Sequence, residues 1–241
     1  MAVASVRPVP ESIRAATRAL GAGEPVLVFD AADREAETDL VFLSETATPE
    51  LVRLARKDAG GLFCTAISEE LRRRLDLPYF ADLLRLAGRE HPELPRLVER
   101  PRYDARSSFG ITINHRENFT GVPDNDRALT MRAVGELARD AGALTDAALR
   151  ERFRASFVSP GHVYLIYAAP KLLAERKGHT ELVISLARMA HLSESVTVCE
   201  MLGDSGGARD PDAARRYAAE HGFEFLDGAT IVAAWKAWSS A

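Results

Sequence analysis

Short apolar runs alternate along the chain with stretches of helical spacing. Val26-Leu27-Val28-Phe29 and Leu40-Val41-Phe42-Leu43 are apolar runs bounded by turn-type residues, which predicts strands. Leu62 to Ile67, Phe109 to Asn114 and Val163 to Tyr167 read the same way. Ile13, Ala16 and Leu20 share one helical face, and Gly21 stops that helix. Thr48-Pro49-Glu50 opens another with Leu51, Leu54 and Ala55 on one side, and Gly60-Gly61 ends it. Ser68 is placed to cap a third helix. Asp124 or Asp126 is placed to cap a fourth that carries Leu129, Ala133, Val134 and Leu137. Leu182, Val183, Leu186 and Met189 form the buried side of a fifth. Such intermingling predicts an α+β fold, a layered α/β arrangement with a mixed β-sheet packed between helices, in a single domain over 1–241.

One stretch departs from the pattern. Pro78 to Ser108 holds Pro92, Pro95 and Pro101, many charges and a brief helical signal at Leu83 to Leu86. It reads as a surface excursion at about 78–108, a candidate mobile flap and not a domain boundary.

The first two strands are joined by Asp30 to Asp39. Acids at 33, 35, 37 and 39 would project to one side of an extended backbone and Arg34 to the other. Crowded carboxylates repel unless a cation or substrate offsets them, and hard cations take such oxygens. A solvated acidic hairpin loop has the same pattern, so the spacing leaves both readings open. A second candidate lies at Arg176 to Thr180. Free N–H groups at a helix start favour an anion, and Arg176 can grip a phosphate with two donors. A plain helix cap beside a solvated arginine is the commoner arrangement, but His179 in the same turn adds a metal ligand or proton carrier. His162 also follows a glycine at an element junction. His191 and His221 close helical patterns, where a cation suits the dipole.

Composition narrows the classes. The chain has 241 residues, 27% charged and 46% hydrophobic, ordinary for a soluble protein with a sizeable core. A net charge of -4 gives no electrostatic case for nucleic acid or an anionic membrane. No apolar run approaches a membrane span, and Met1 to Pro10 lacks the apolar core of a secretory signal. Cys64 and Cys199 each lie inside an apolar run, which argues against a disulfide and for a cytoplasmic setting.

Four motifs then occur in order: Asp33-Arg34-Glu35-x-Glu37-x-Asp39, Pro160-Gly161-His162-Val163, Arg176-x-Gly178-His179-Thr180-Glu181 and Val198-Cys199-Glu200-Met201. Together with Phe119-Thr120-Gly121-Val122 and Asp126-Arg127 they resemble the 3,4-dihydroxy-2-butanone 4-phosphate synthase family of riboflavin biosynthesis. The resemblance runs from about Pro10 to the end, and the excursion resembles archaeal-type members. With no room for a fused GTP cyclohydrolase domain, a single-function lyase is expected.

The resemblance implies loss of formate from D-ribulose 5-phosphate, a homodimer with sites at the subunit boundary, and Mg²⁺ or Mn²⁺ with two ions per site. It implies Glu35 and His179 as metal ligands. It implies Arg34, Glu35, Asp39, Arg176, Lys177, Gly178, His179, Thr180 and Glu200 as substrate contacts. His162, Glu200, Asp39 and Glu37 are the implied acid/base groups, and sequence does not divide the protons among them. Tyr167 stands where members often carry an arginine, and Lys177 where glycine or another basic residue is common. Another metal-dependent sugar-phosphate aldolase or isomerase, a nucleotide-binding relative, or a catalytically silent scaffold are the competing readings.

Overall fold

The protein is described by a computed structural model over residues 10–240, so residues 1–9 and Ala241 of the expected domain lie outside it. Helix α1 (Glu11–Gly21) buries Ile13, Ala16 and Leu20. Strands β1 (Val26–Phe29) and β2 (Thr38–Leu43) pair antiparallel, Val28 opposite Asp39. Helix α2 (Pro49–Leu54) is capped by Thr48, whose hydroxyl accepts from Leu51 N at 3.3 Å. A wider turn continues it to Gly60, whose φ of 88° suits a residue without a side chain.

Then come β3 (Cys64–Ile67), α3 (Glu69–Leu75) capped by Ser68, and the excursion. The excursion holds α4 (Phe80–Leu86), 3₁₀ turns at Ala87–Arg89 and Leu94–Leu97, and irregular chain up to β4 (Phe109–His115). Helices α5 (Asp124–Asp140) and α6 (Asp146–Ser156) lead into β5 (Phe157–Tyr167). The chain closes with α7 (His179–Met189), β6 (Ser195–Glu200), α8 (Pro211–His221), β7 (Glu224–Asp227) and α9 (Gly228–Ser239).

The seven strands form one sheet in the order β4-β5-β3-β6-β2-β1-β7. β1–β7 and β3–β5 run parallel and the other pairs antiparallel, so the sheet is mixed. Alternate residues of each strand serve opposite layers. Val26, Val28 and Val41 pack with Ile13, Leu182 and Ile231 on one face. Leu27, Leu40 and Phe42 pack with Val52, Met131 and Ala214 on the other. Covering both faces is why β1 and positions 40–43 of β2 are continuously apolar.

Several local expectations need correction. β3 starts at Cys64, because Leu62 N is drawn to the side chain of Glu200 at 2.7 Å. β5 starts at Phe157, six residues before the predicted strand. Pro160 and Gly161 look like turn residues in sequence, yet they lie inside a strand whose pairing with β4 is irregular. Neither Asp124 nor Asp126 caps α5. Asp126 instead accepts from Thr120 N at 2.9 Å and Gly121 N at 2.7 Å, holding the loop ahead of the helix.

Gly135 shows how closely α5 approaches the turn Ser44–Thr46 that follows β2. A Cβ there would enter the backbone of Ser44 and Glu45. Gly135→Ala should therefore destabilise the protein by about 1–3 kcal/mol, as overpacking does. Urea unfolding checks this through a lowered midpoint at unchanged slope; an equal or higher midpoint would show that α5 can move aside.

Candidate active site

Sheet register sets the floor of the site. In the β2–β6 pair Asp39 stands opposite Glu200, which brings two carboxylates together at the end of β6. Asp39 is buried and Glu200 half-buried. Glu200 is held in place by the chain entering β3. Its Oε2 accepts from Leu62 N at 2.7 Å, its carbonyl accepts from Gly61 N at 3.0 Å, and a Cβ at Gly61 would collide with it.

The β1–β2 loop is not an extended ribbon, which corrects the alternation of acids expected there. The fully buried carboxylate of Asp30 accepts from Glu35 N and Glu37 N, each at 3.1 Å. Turns at Ala31–Glu35 and a positive φ of 55° at Ala36 complete the curl. Asp33 is left exposed, while Glu35 leans toward the start of α7.

His179, the first residue of α7, is the meeting point. Its Nδ1 lies 3.3 Å from Glu35 Oε2 and its Nε2 3.6 Å from Asp39 Oδ1. Burial raises the Asp39 carboxyl to about 8, with Glu200, Glu35 and Glu37 adding to the rise against the pull of His179. Burial works to lower the His179 imidazole, but Asp39, the Glu35 hydrogen bond and Asp30 outweigh it and lift it to about 9. The hydrogen bond from His179 holds Glu35 below the usual carboxylate range. Glu37 is raised by burial and by Glu35 and Glu200.

A cavity of about 180 Å³ is lined by Glu35, Asp39, Arg176, His179, Thr180 and Glu200, among others. Cys64 forms part of its wall, and burial drives its thiol up, so it stands as an inert surface. Glu37 lies beyond Glu200, on a separate opening beside Gly60 and Gly61. Arg34 and Lys177 line a neighbouring cavity of about 610 Å³. Gly178 precedes α7 as its N-cap. The first helical hydrogen bond there runs from Leu182 N to Gly178 O at 3.0 Å, so the N–H groups before it have no helical acceptor.

Arg176 is no solvated arginine. Its Nη1 donates to Glu181 Oε2 at 2.6 Å and its Nη2 lies 2.8 Å from Asp104, which belongs to the excursion. Asp104 also faces Arg34 at 3.4 Å. Tyr167 is buried edge-on to Tyr79, with ring centres 5.2 Å apart, and acts as packing. His162 is not among the residues that line the cavity. It is exposed on β5, where its backbone N donates to Asn114 Oδ1 at 2.9 Å and its ring lies against Asn114 and Gly121.

Asp30, Glu35 and His179 each offer one ligand atom, and these atoms lie within 4.8 Å of one another. Asp30 already accepts two backbone N–H groups, which makes it the anchor of the loop. Asp39 Oδ1 and His179 Nε2 are buried with no hydrogen-bond partner among the described residues. Buried lone-pair atoms of this kind, once deprotonated, fit a bound cation.

The sequence profile of the 3,4-dihydroxy-2-butanone 4-phosphate synthase family matches residues 14–234. Synthases of that name from Methanosarcina mazei and Archaeoglobus fulgidus are each 43% identical to this chain. The first match spans 95% of this chain and 93% of its own, the second 89% and 90%. The crystal structure of the Candida albicans synthase gives a TM-score of 0.68 at 28% identity, over 91% of this chain and 95% of its own. A synthase structure in complex with two magnesium ions gives 0.71 at 23% identity, over 92% and 94%, and speaks for the fold alone.

A cation bound beside Asp39 and His179 would have to displace the protons that they hold at neutral pH. Apparent Mg²⁺ affinity should therefore climb as pH rises through about 8 toward about 9 and level off beyond. Calorimetry in buffers of different ionisation heat should show about one proton or more released per site at neutral pH. Binding that is independent of pH and releases no proton would remove both groups from the cation site.

Proposed function

The chain belongs to the 3,4-dihydroxy-2-butanone 4-phosphate synthase family, and from that premise we propose how its own residues carry the reaction. The enzyme is a lyase of riboflavin biosynthesis that converts D-ribulose 5-phosphate to L-3,4-dihydroxy-2-butanone 4-phosphate and formate. The observation that carries the assignment of roles is the convergence of Glu35, Asp39, His179, Arg176 and Glu200 on one cavity from four separate parts of the chain.

Glu35 and His179 are the residues that would hold Mg²⁺ or Mn²⁺. Glu35, Asp39 and Glu200 line the cavity with Glu37 behind Glu200, and once Asp39 has lost its proton their carboxylates would offset the charge of two ions. A metal held there would supply Lewis-acid stabilisation of negative charge developing on the substrate's oxygens. Asp39, raised to about 8, is poised to exchange a proton near neutral pH, since catalytic acid/base groups work best close to the ambient pH. Glu200, fixed by Leu62 N, faces the same cavity as a second acid/base group, and Glu37 backs it from the other side. Arg176, Thr180 and the free N–H groups of Gly178 to Thr180 take the phosphate, with Arg34 and Lys177 beside them.

His162 fits a site completed by a second copy of the chain. It lies on an exposed part of β5 beside the loop in which Phe119 is 94% exposed and Val122 53% exposed. Large apolar side chains presented this openly suit an interface. We therefore take the enzyme as a homodimer in which His162 reaches the partner's cavity. A reducing cytoplasm suits its two buried free thiols. Among the described residues no helix is long and apolar enough to cross a membrane, and the acidic balance offers no nucleic-acid surface.

Incubation with ribulose 5-phosphate and Mg²⁺ should release formate, chelator should abolish the release, and added Mg²⁺ or Mn²⁺ should restore it. Full formate release in excess chelator would overturn the metal assignment. Mixing His162→Ala and Glu35→Ala proteins, each inactive alone, should restore part of the activity in hybrid dimers. Silence after proven subunit exchange would place both residues in one chain's site.

A further inference from the structure

Asp104 belongs to the irregular part of the excursion, yet its side chain is only 10% exposed. Its carboxylate sits between two guanidinium groups, 2.8 Å from Arg176 Nη2 and 3.4 Å from Arg34 Nη2. Both arginines are themselves largely buried, at 16% and 12% exposure. A carboxylate bridging two such arginines has the charge and shape of part of a phosphate group.

Asp104 and Arg176 also line three cavities at once: the reaction cavity of about 180 Å³ and its neighbours of about 410 and 610 Å³. Their ion pair is a shared wall. The reaction cavity alone falls below the roughly 300 Å³ at which small-molecule sites begin. Without the Asp104 carboxylate that cavity would join its neighbours. Arg176 does not need Asp104 for its orientation. Glu181, fully buried on α7, holds Arg176 Nη1 at 2.6 Å and is itself fixed by Ala169 N at 2.8 Å.

We propose that Asp104 is a specificity-determining residue that occupies the phosphate subsite as a stand-in anion and is displaced from Arg176 and Arg34 by the phosphate of the substrate. This rests on the reading that Arg176 and Thr180 take that phosphate. A phosphate dianion, with three terminal oxygens, outcompetes a single carboxylate for two guanidinium forks. A sugar hydroxyl carries no charge with which to do so. The contact thus selects phosphorylated over unphosphorylated pentulose before chemistry begins.

The test uses the full-length, Mg²⁺-loaded protein, with inorganic phosphate and unphosphorylated D-ribulose as probes. In Asp104→Asn, and in Asp104→Ser as a second variant in the same irregular segment, inorganic phosphate should bind about tenfold tighter, as when a charged competitor is removed. Inhibition by unphosphorylated D-ribulose should strengthen as well. Phosphate affinity that is unchanged or weaker in a folded Asp104 variant overturns the proposal and leaves Asp104 as a brace for the arginines. Arg176→Ala separates the two layers of the argument. Phosphate binding should collapse in it; binding that persists unchanged overturns the phosphate reading itself.

Discussion

The imidazole of His179 stands 3.3 Å from Glu35 and 3.6 Å from Asp39, and the three residues arrive from a loop, a strand and a helix start. Removing a carboxylate from water costs several kcal/mol unless an opposite charge or a hydrogen bond compensates. Asp39 is 2% exposed and has three more carboxylates around it, so it is pushed toward its neutral form, and the push is opposed only in part. His179 is the residue that offsets this. The packing of α7 against β2, the curl of the β1–β2 loop and the closeness of Glu200 are compatible only because a cationic group occupies the centre. A proton supplies that charge in the free protein, and a divalent ion can replace it.

The same balance repeats at the phosphate end. Glu181 is fully buried and pushed toward its neutral form, with Arg176 opposing that push. Arg176 thereby becomes a fixed feature of the helix start. Its Nη2, together with Arg34, faces an anion. In the free protein that anion is the carboxylate of Asp104, supplied by a segment with no regular structure. Function is thus divided by structure: most of the site residues lie on strands or at a helix start, and the competing anion lies on a segment without regular secondary structure.

Much of this was legible in the sequence, because the relevant signals are local. Periodicity located β1, β2, α1, α2 and α7, and the motifs at Arg34 to Asp39 and Arg176 to Thr180 pointed to two groups that fold into one cavity. What periodicity missed depends on distant pairing. Asp30 reads as one more acid in a run until its hydrogen bonds to Glu35 N and Glu37 N reveal it as the loop's anchor. Gly61 reads as a helix stop, but its lack of a side chain is what admits Glu200. Glu181 reads as a helix-start acid, and Asp104 as one charge among many in an excursion. Their roles appear only when Arg176 is seen between them. β5 was read too short because a Pro-Gly pair signals a turn in any window that cannot see the partner strand.

Whether His179 and Glu35 hold the metal can be read without turnover. Pulsed electron paramagnetic resonance of the Mn²⁺-loaded protein should show hyperfine coupling to an imidazole nitrogen. His179→Gln should abolish that coupling, while His162→Gln should leave it in place. Bound Mn²⁺ with no nitrogen coupling, or coupling that survives His179→Gln, would contradict the account.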